Sequence, residues 1–298
     1  MNPFPPSAFK LADAEGNELS ASEGIRVPAG DFSAKIMVKV GQLNSKDFPD
    51  SKKYAIPLSI TGASNYSLIP SQRSAILLLN RSILSSVAKV SGGEGIRIKP
   101  VGMHTKAEWT IQMSAIYSSL TRSNLTTAYL SNGTGGAFYT RISSTAGIQV
   151  KNGRDGDDTW TQMPLQAGKW LHITYVHKDK KTTVYVNGKV QKVFENSAIT
   201  FGENSMIVVG NSGYRNDYLR EIRLWDKALT ESEINDYLYL PMDPATPHLI
   251  SYLPLSKEME TKDLKAPAGT ENVTTKARIE YVENVKFPAD ELVIVNQE

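Results

Sequence analysis

No cysteine occurs anywhere in this chain, which excludes disulfide staples, thiolate metal ligands and a cysteine nucleophile together. Charge of one sign is also missing in bulk. The 33 Lys and Arg stand against 31 Asp and Glu, a formal charge of +2, and the basic residues are scattered along the chain instead of gathered in blocks. That excludes nucleic acid as a partner for a basic patch. Long apolar runs are absent: none approaches the roughly 20 residues of a membrane-spanning helix, and the opening MNPFPPSAFK carries neither the charged nor the apolar segment of an export signal. Histidine is scarce, with His104, His172, His177 and His248 the complete set. Only His172 and His177 are close, and an offset of five places them on opposite faces of a strand. No metal site is expected from them, and His172 is read as a packed, hydrogen-bonded side chain inside a sandwich.

Motifs of catalysis are lacking too. There is no Gly-x-Ser-x-Gly elbow, no His-Glu-x-x-His helix and no phosphate-binding glycine loop. A retaining glycosidase needs two carboxylates about 5 to 5.5 Å apart, which on a strand means acids at i, i+2 or i+4 of one face. No apolar strand segment carries that spacing, so no catalytic residue is assigned and the chain is read as a non-enzyme.

What the sequence does contain is strand. WLHITYVHKDKKTTVYVNGKV, Trp170 to Val190, is rich in aromatic and β-branched residues, with a polar turn at His177 to Lys181 and a second reversal at Asn187-Gly188. Asn-Gly is the preferred pair of a type I′ hairpin because both central residues need positive φ. Earlier, SAKIMVKV alternates with Ala34, Ile36, Val38 and Val40 on one face. KYAIPLSI places Tyr54, Ile56, Leu58 and Ile60 inward, with Pro57 marking an edge strand or bulge, and SAILLLN reads as a more fully buried strand. The small, polar segment Ser85 to Gly95 suits a boundary. The expected organisation is therefore all-β, with a small β-sandwich over residues 1–90 and a larger jelly-roll sandwich over 91–298. One helix is predicted at Thr230, where Thr230 and Glu233 form a capping box ahead of Ile234, Tyr237 and Leu238, and Pro241 stops it.

Three stretches of the second region resemble the laminin-G-like, concanavalin A-like jelly roll: GKWLHITYVHKDKKTTVYVNGK, LREIRLWDKALTESEI and PHLISYLPLSKE. In the first region, GIRVPAGDFSAKIMVKV followed by YAIPLSITGAS is similar to the small β domain of unknown function that precedes such modules in glycan-utilisation surface lipoproteins. The resemblance implies export to the periplasm or outer-membrane surface, capture of polysaccharide, and a place among other outer-membrane proteins. Membrane association is expected only through a lipid anchor that this cysteine-free chain does not carry. A structural or protein-interaction subunit of a glycan-uptake complex and a degenerate glycoside hydrolase are the alternatives.

Two segments have the inventory to bind a sugar, which calls for an aromatic platform beside polar side chains. NSGYRNDYLR gathers Tyr214, Arg215, Asp217 and Tyr218 in what reads as a short loop, and Trp160 stands beside the acidic stretch GRDGDD. Asp155, Asp157 and Asp158 of that stretch are the calcium candidates. The stretch fails the EF-hand pattern, with Trp160 where the glycine and Gln166 where the bidentate glutamate belong. A solvated hairpin tip and, for the tyrosines, a covered sheet edge are the competing readings.

Overall fold

The computed structural model describes residues 2–20, 24–41, 43–80, 82–102, 106–121, 125–129, 138–151, 159–195, 199–202, 204–210 and 214–296, with the backbone alone at 127 and 129. The chain divides into two compact units, Met1–Arg81 and Ser82–Glu298.

The strands of the first unit are β1 (Asn2–Pro3), β2 (Phe9–Ala12), β3 (Met37–Val40), β4 (Tyr54–Ser59) and β5 (Ser74–Leu79). They form a three-stranded sheet, β1-β4-β5, and the pair β2-β3. Phe4, Tyr54 and Ile56 make the core, reinforced by Phe48, whose ring lies 5.0 Å from Phe4 and 5.5 Å from Tyr54. Pro57 falls where edge geometry allows it. Ile60 N donates to Arg73 O, so by alternation Pro57 turns its nitrogen away from β5, toward the side where β1 has already ended opposite Ala55.

Two burial expectations fail in this unit. Ser74–Leu79 is not a buried strand, because Ile76 is 69% and Leu78 62% exposed. Ile36, Val40 and Ile60 are exposed as well. Alternation reports which residues share a face, but the aromatic cluster covers only the Tyr54–Ile56 end of the sheet.

The second unit contains β6 (Ile83–Gly92), β7 (Ile96–Ile98), β8 (Trp109–Ile116), β9 (Thr126–Tyr129), β10 (Phe138–Ser143) and β11 (Gly147–Lys151). It continues with β12 (Trp170–Lys178), β13 (Lys181–Val186), β14 (Lys189–Glu195), β15 (Met206–Val209) and β16 (Tyr214–Trp225). The helix α1 (Glu231–Asp236) precedes β17 (Leu249–Leu253), β18 (Val273–Thr274) and β19 (Arg278–Phe287). One sheet has the order β11-β10-β9-β15-β7-β18; the other runs β14-β13-β12-β8-β16-β6-β19, with β17 also on β16. This is a two-sheet jelly-roll sandwich. Trp109, Ile111, Met113, Leu171, Ile173 and Tyr175 meet Phe138, Ile142, Ile148, Val150 and Ile207 in a single core.

The boundary lies ahead of the expected one. Most of Ser85–Gly95, read from its composition as a boundary, belongs to strand β6, paired with β16 on one side and β19 on the other. Its small residues are strand residues because close neighbours flank them, with Ala88 and Val90 fully buried.

The turn and capping signals hold, although α1 ends at Asp236, ahead of Tyr237, Leu238 and the expected stop at Pro241. Asp179 and Lys180 (φ 51° and 60°) turn β12 into β13, and Asn187 and Gly188 (φ 50° and 75°) turn β13 into β14. Both pairs have the two positive φ values of a type I′ turn. Thr230 caps α1, accepting from Glu233 N while the Glu233 carboxylate accepts from Thr230 N. The helix lays Ile234, with Leu229, against Trp225, Val176 and Tyr252 on the second face of the eight-stranded sheet. All eight residues of β8 are therefore buried. Among the described residues no helix is long and apolar enough to cross a membrane.

The two histidines sit on opposite faces of β12, and His172 is not the one inside the sandwich. His177 is the one in the sandwich, stacked on Trp109 at 5.1 Å. Ile199 N donates to its Nε2 (3.2 Å), which leaves Nδ1–H to meet Thr182 Oγ1 at 3.0 Å. His172 lies on the other face, its Nδ1 2.6 Å from Ser114 Oγ. Burial, then the positive charges of Arg220 and Arg223, push its pKa down to about 3.

Candidate functional site

Strand β10 alternates strictly: Phe138, Thr140 and Ile142 are buried, while Tyr139, Arg141 and Ser143 are half-buried on the outer face of the six-stranded sheet. Its neighbour β11 is buried on both faces. Ile148 and Val150 enter the core, which leaves Gln149 and Lys151 outward, where exposures of 3% and 7% show them covered. Part of that cover is the segment from Thr159 to Thr161, which runs along β11: Thr161 N donates to Ile148 O, and Ile148 N donates to Thr161 Oγ1, both at 2.9 Å. An isolated bridge sets Trp160 directly opposite Gln149.

Register then aligns the face. Arg141, Gln149 and Trp160 form one cross-strand row, and Tyr139 and Lys151 form the next. Arg141 Cζ and Lys151 Nζ lie 5.8 and 5.4 Å from the Tyr139 ring centroid, within cation–π reach. Lys192 of β14 donates to Trp160 O at 2.7 Å, fixing the Trp160 backbone to the edge of the other sheet. Gln149 Nε2 donates to Thr159 Oγ1 at 2.8 Å. Gln149 Oε1 and Arg141 Nε are buried without a hydrogen-bond partner among the described residues. One is an acceptor and the other a donor, on directly paired residues. A hydroxyl group or a water molecule, each of which donates and accepts at once, has the chemistry both atoms lack.

The predicted cluster at Tyr214 to Tyr218 is not a loop. It is the start of β16, and its key members are structural. Tyr214 is 4% exposed and donates to Val209 O at 2.6 Å, lying so close under Gly210 that a Cβ there would fall 2.3 Å from the ring. Asp217 is fully buried and accepts from Ser118 N (2.9 Å), Ser118 Oγ (3.1 Å) and Arg215 N (3.1 Å), holding a bulge in β16 against β6. Tyr218 is half-buried against the cluster around Trp170 and Phe287. Arg215 is exposed. Trp160 belongs to the β11 edge, away from these residues, so the structure does not bring the two predicted groups together. Asp155, Asp157 and Asp158 lie outside the described residues.

Tyr139, Arg141 and Gln149 were missed as site residues. FYTRIS and GIQVK read as ordinary strands, and only the alternation of FYTRIS, with an aromatic and an arginine on its polar face, pointed to them.

Comparison with known proteins fits this architecture. Residues 91–235 match the concanavalin A-like lectin/glucanases superfamily. That match runs from the end of β6 into α1. No curated protein matches the sequence. Among solved structures, a protein from Bacteroides ovatus ATCC 8483, provisionally assigned as carbohydrate binding, shares 17% identity over 97% of this chain and 82% of its own, with a TM-score of 0.57. A heptameric SAP-like pentraxin from Limulus polyphemus shares 12% identity over 67% of this chain and 94% of its own, with a TM-score of 0.44. Domain 4 of AbnA, a GH43 extracellular arabinanase from Geobacillus stearothermophilus, in complex with arabinotriose, shares 15% identity over 61% of this chain and 86% of its own, with a TM-score of 0.39.

Proposed function

We propose that the protein is a non-enzymatic carbohydrate-binding protein that holds a polysaccharide segment on the outer face of the six-stranded sheet. The observation that carries this reading is the row of Arg141, Gln149 and Trp160 beside Tyr139, in which Arg141 Nε and Gln149 Oε1 have no hydrogen-bond partner among the described residues. A pyranose offers hydroxyls for such atoms and a C–H face for the rings. The lectin-containing superfamily description and the provisional assignment of the Bacteroides ovatus protein support the same reading. The first unit's likeness to the small β domain of surface lipoproteins supports a further proposal, that the protein acts at the bacterial envelope beside other outer-membrane proteins.

A glycan array followed by calorimetry on its hits tests the site. Tyr139→Ala, Trp160→Ala and Arg141→Met should each weaken binding about ten-fold, the loss of one ring or charge-assisted contact. Tyr214→Phe should leave affinity unchanged and cost about 1 kcal/mol of stability through its lost bond to Val209 O. No hit should release reducing sugar on incubation. Hits that bind all three site variants normally would move the site off this face.

A further inference from the structure

The second face of the eight-stranded sheet buries two arginines with one carboxylate. A bulge at Glu221 (φ 56°) brings Arg220 and Arg223 to one side of β16, opposite Ser114 and Gln112 of β8. Arg223 is fully engaged: Nε and Nη2 donate to Glu221 Oε2 at 3.2 and 2.5 Å, Nη1 to Tyr237 O at 3.0 Å, and Nη2 to Leu240 O at 2.5 Å. Tyr252 Oη donates to the same Glu221 carboxylate. Arg220 fares differently. It is 1% exposed, its Nη1 donates to Tyr239 O at 3.0 Å, and its Cζ lies 4.0 Å from the Phe287 ring centroid. Its Nε and Nη2 have no hydrogen-bond acceptor among the described residues, although Nη2 stands 3.5 Å from Glu221 Oε1. Trp170, 5.1 Å from the same Phe287 ring and 2% exposed, also leaves its Nε1 without an acceptor among the described residues.

Among the described residues, two guanidinium charges against one carboxylate leave this buried group one positive charge in excess, since His172 beside it stays neutral. A buried charge needs a counter-charge, and buried N–H groups need acceptors. Nε and Nη2 form the parallel two-donor edge of a guanidinium, the edge that grips a carboxylate or another small anion. We propose that Arg220, with the Trp170 indole N–H on the same aromatic wall, forms a buried site for one small monovalent anion, chloride or a short carboxylate, that stabilises the jelly roll. This site is separate from the face built by Arg141 and Gln149.

Thermal unfolding of the full chain in chloride, bromide and acetate, at constant ionic strength against fluoride, is the test. A saturable rise in Tm of about 5 °C or more at a hundred-fold excess over the dissociation constant is expected for the anions that fit. Chloride without acetate would name the halide as ligand; acetate without chloride would name the carboxylate. Arg220→Met should abolish the dependence. If that variant fails to fold, Trp170→Phe, which removes the indole N–H and keeps a ring, should shift the midpoint of the anion titration several-fold. Bromide should give an anomalous scattering peak beside Arg220 in crystals. A Tm that ignores anion identity, an unchanged dependence in Arg220→Met or Trp170→Phe, or bromide absent from Arg220 would overturn the proposal and leave water as the acceptor.

Discussion

Two strands with similar letters have opposite fates. SAILLL, Ser74–Leu79 of the first unit, exposes Ile76, Leu77 and Leu78, whereas WTIQMSAI, Trp109–Ile116 of the second, buries every residue. The second strand is also the more polar, with Thr110, Gln112 and Ser114 among its buried residues. Position explains the inversion. β8 lies between β12 and β16, with the six-stranded sheet over one face and the segment around α1 over the other. Thr110 Oγ1 donates to Lys227 O and Gln112 Oε1 accepts from Trp225 Nε1, so its polar side chains are satisfied by that second layer. β5 is the edge of a three-stranded sheet. Hydrophobicity sets what burial is worth; topology sets whether burial occurs.

The harshest break of this comparison is a cut in the larger unit. A fragment starting at Ser82 should fold with a cooperative transition, while one starting at Gly95 loses the strand between β16 and β19 and should not. Circular dichroism with a melting curve distinguishes them, and a folded Gly95 fragment would return the boundary to where composition put it.

Point substitutions sharpen the contrast. Ile111→Ala in β8 should cost about 2 to 5 kcal/mol as a cavity in close-packed surroundings, and Ile76→Ala in β5 less than about 0.5 kcal/mol. Denaturant midpoints measure both, and equal costs would mean that β5 is covered after all.

A smaller effect is expected at the hairpin. Gly188 has φ 75°, and an added Cβ would come 2.0 Å from Asn235 Oδ1, while Asn235 Nδ2 donates to Gly188 O at 3.2 Å. Gly188→Ala should cost about 1 to 3 kcal/mol through backbone strain and this collision. In an Asn235→Ala background only the backbone part, about 1 kcal/mol, should remain, as a double-mutant cycle would show.

The least abrupt effect is a pH slope. His172 is held neutral, its pKa lowered from 6.5 to about 3, and burial lowers that of His177 as well. Their depressed values mean that the unfolded chain takes up protons first, so stability is complete above pH 6.5 and falls as pH drops from there toward 3. Each histidine contributes at most about 1.4 kcal/mol per pH unit. His172→Gln should reduce the slope of Tm against pH over this range; an unchanged slope would remove His172 as its source.

The candidate site was only partly legible. Trp160 was visible because a tryptophan in a polar, turn-rich stretch stands out. Tyr139, Arg141 and Gln149 were not, since each sits in an unremarkable strand and their significance comes from the β10–β11 register and the Thr159–Thr161 segment laid beside it. Tyr214 and Asp217 misled for the converse reason. Their composition is that of a binding loop, but β6 and the backbone of Ser118 claim the same groups as partners.

From the sequence alone came every feature settled within a few residues: the alternation of the strands, the Asn187-Gly188 turn, the Thr230–Glu233 capping box and the all-β class. These follow from local φ/ψ preferences and hydrogen bonds between near neighbours, which are written in adjacent letters. Only the tertiary structure decided that Ile83–Gly92 is a strand, that β5 stays exposed while β8 does not, and that Arg141, Gln149 and Trp160 share a row. Each of those depends on a second segment distant in the chain arriving to cover, pair or compete, and a side chain's own identity does not say which segment that will be.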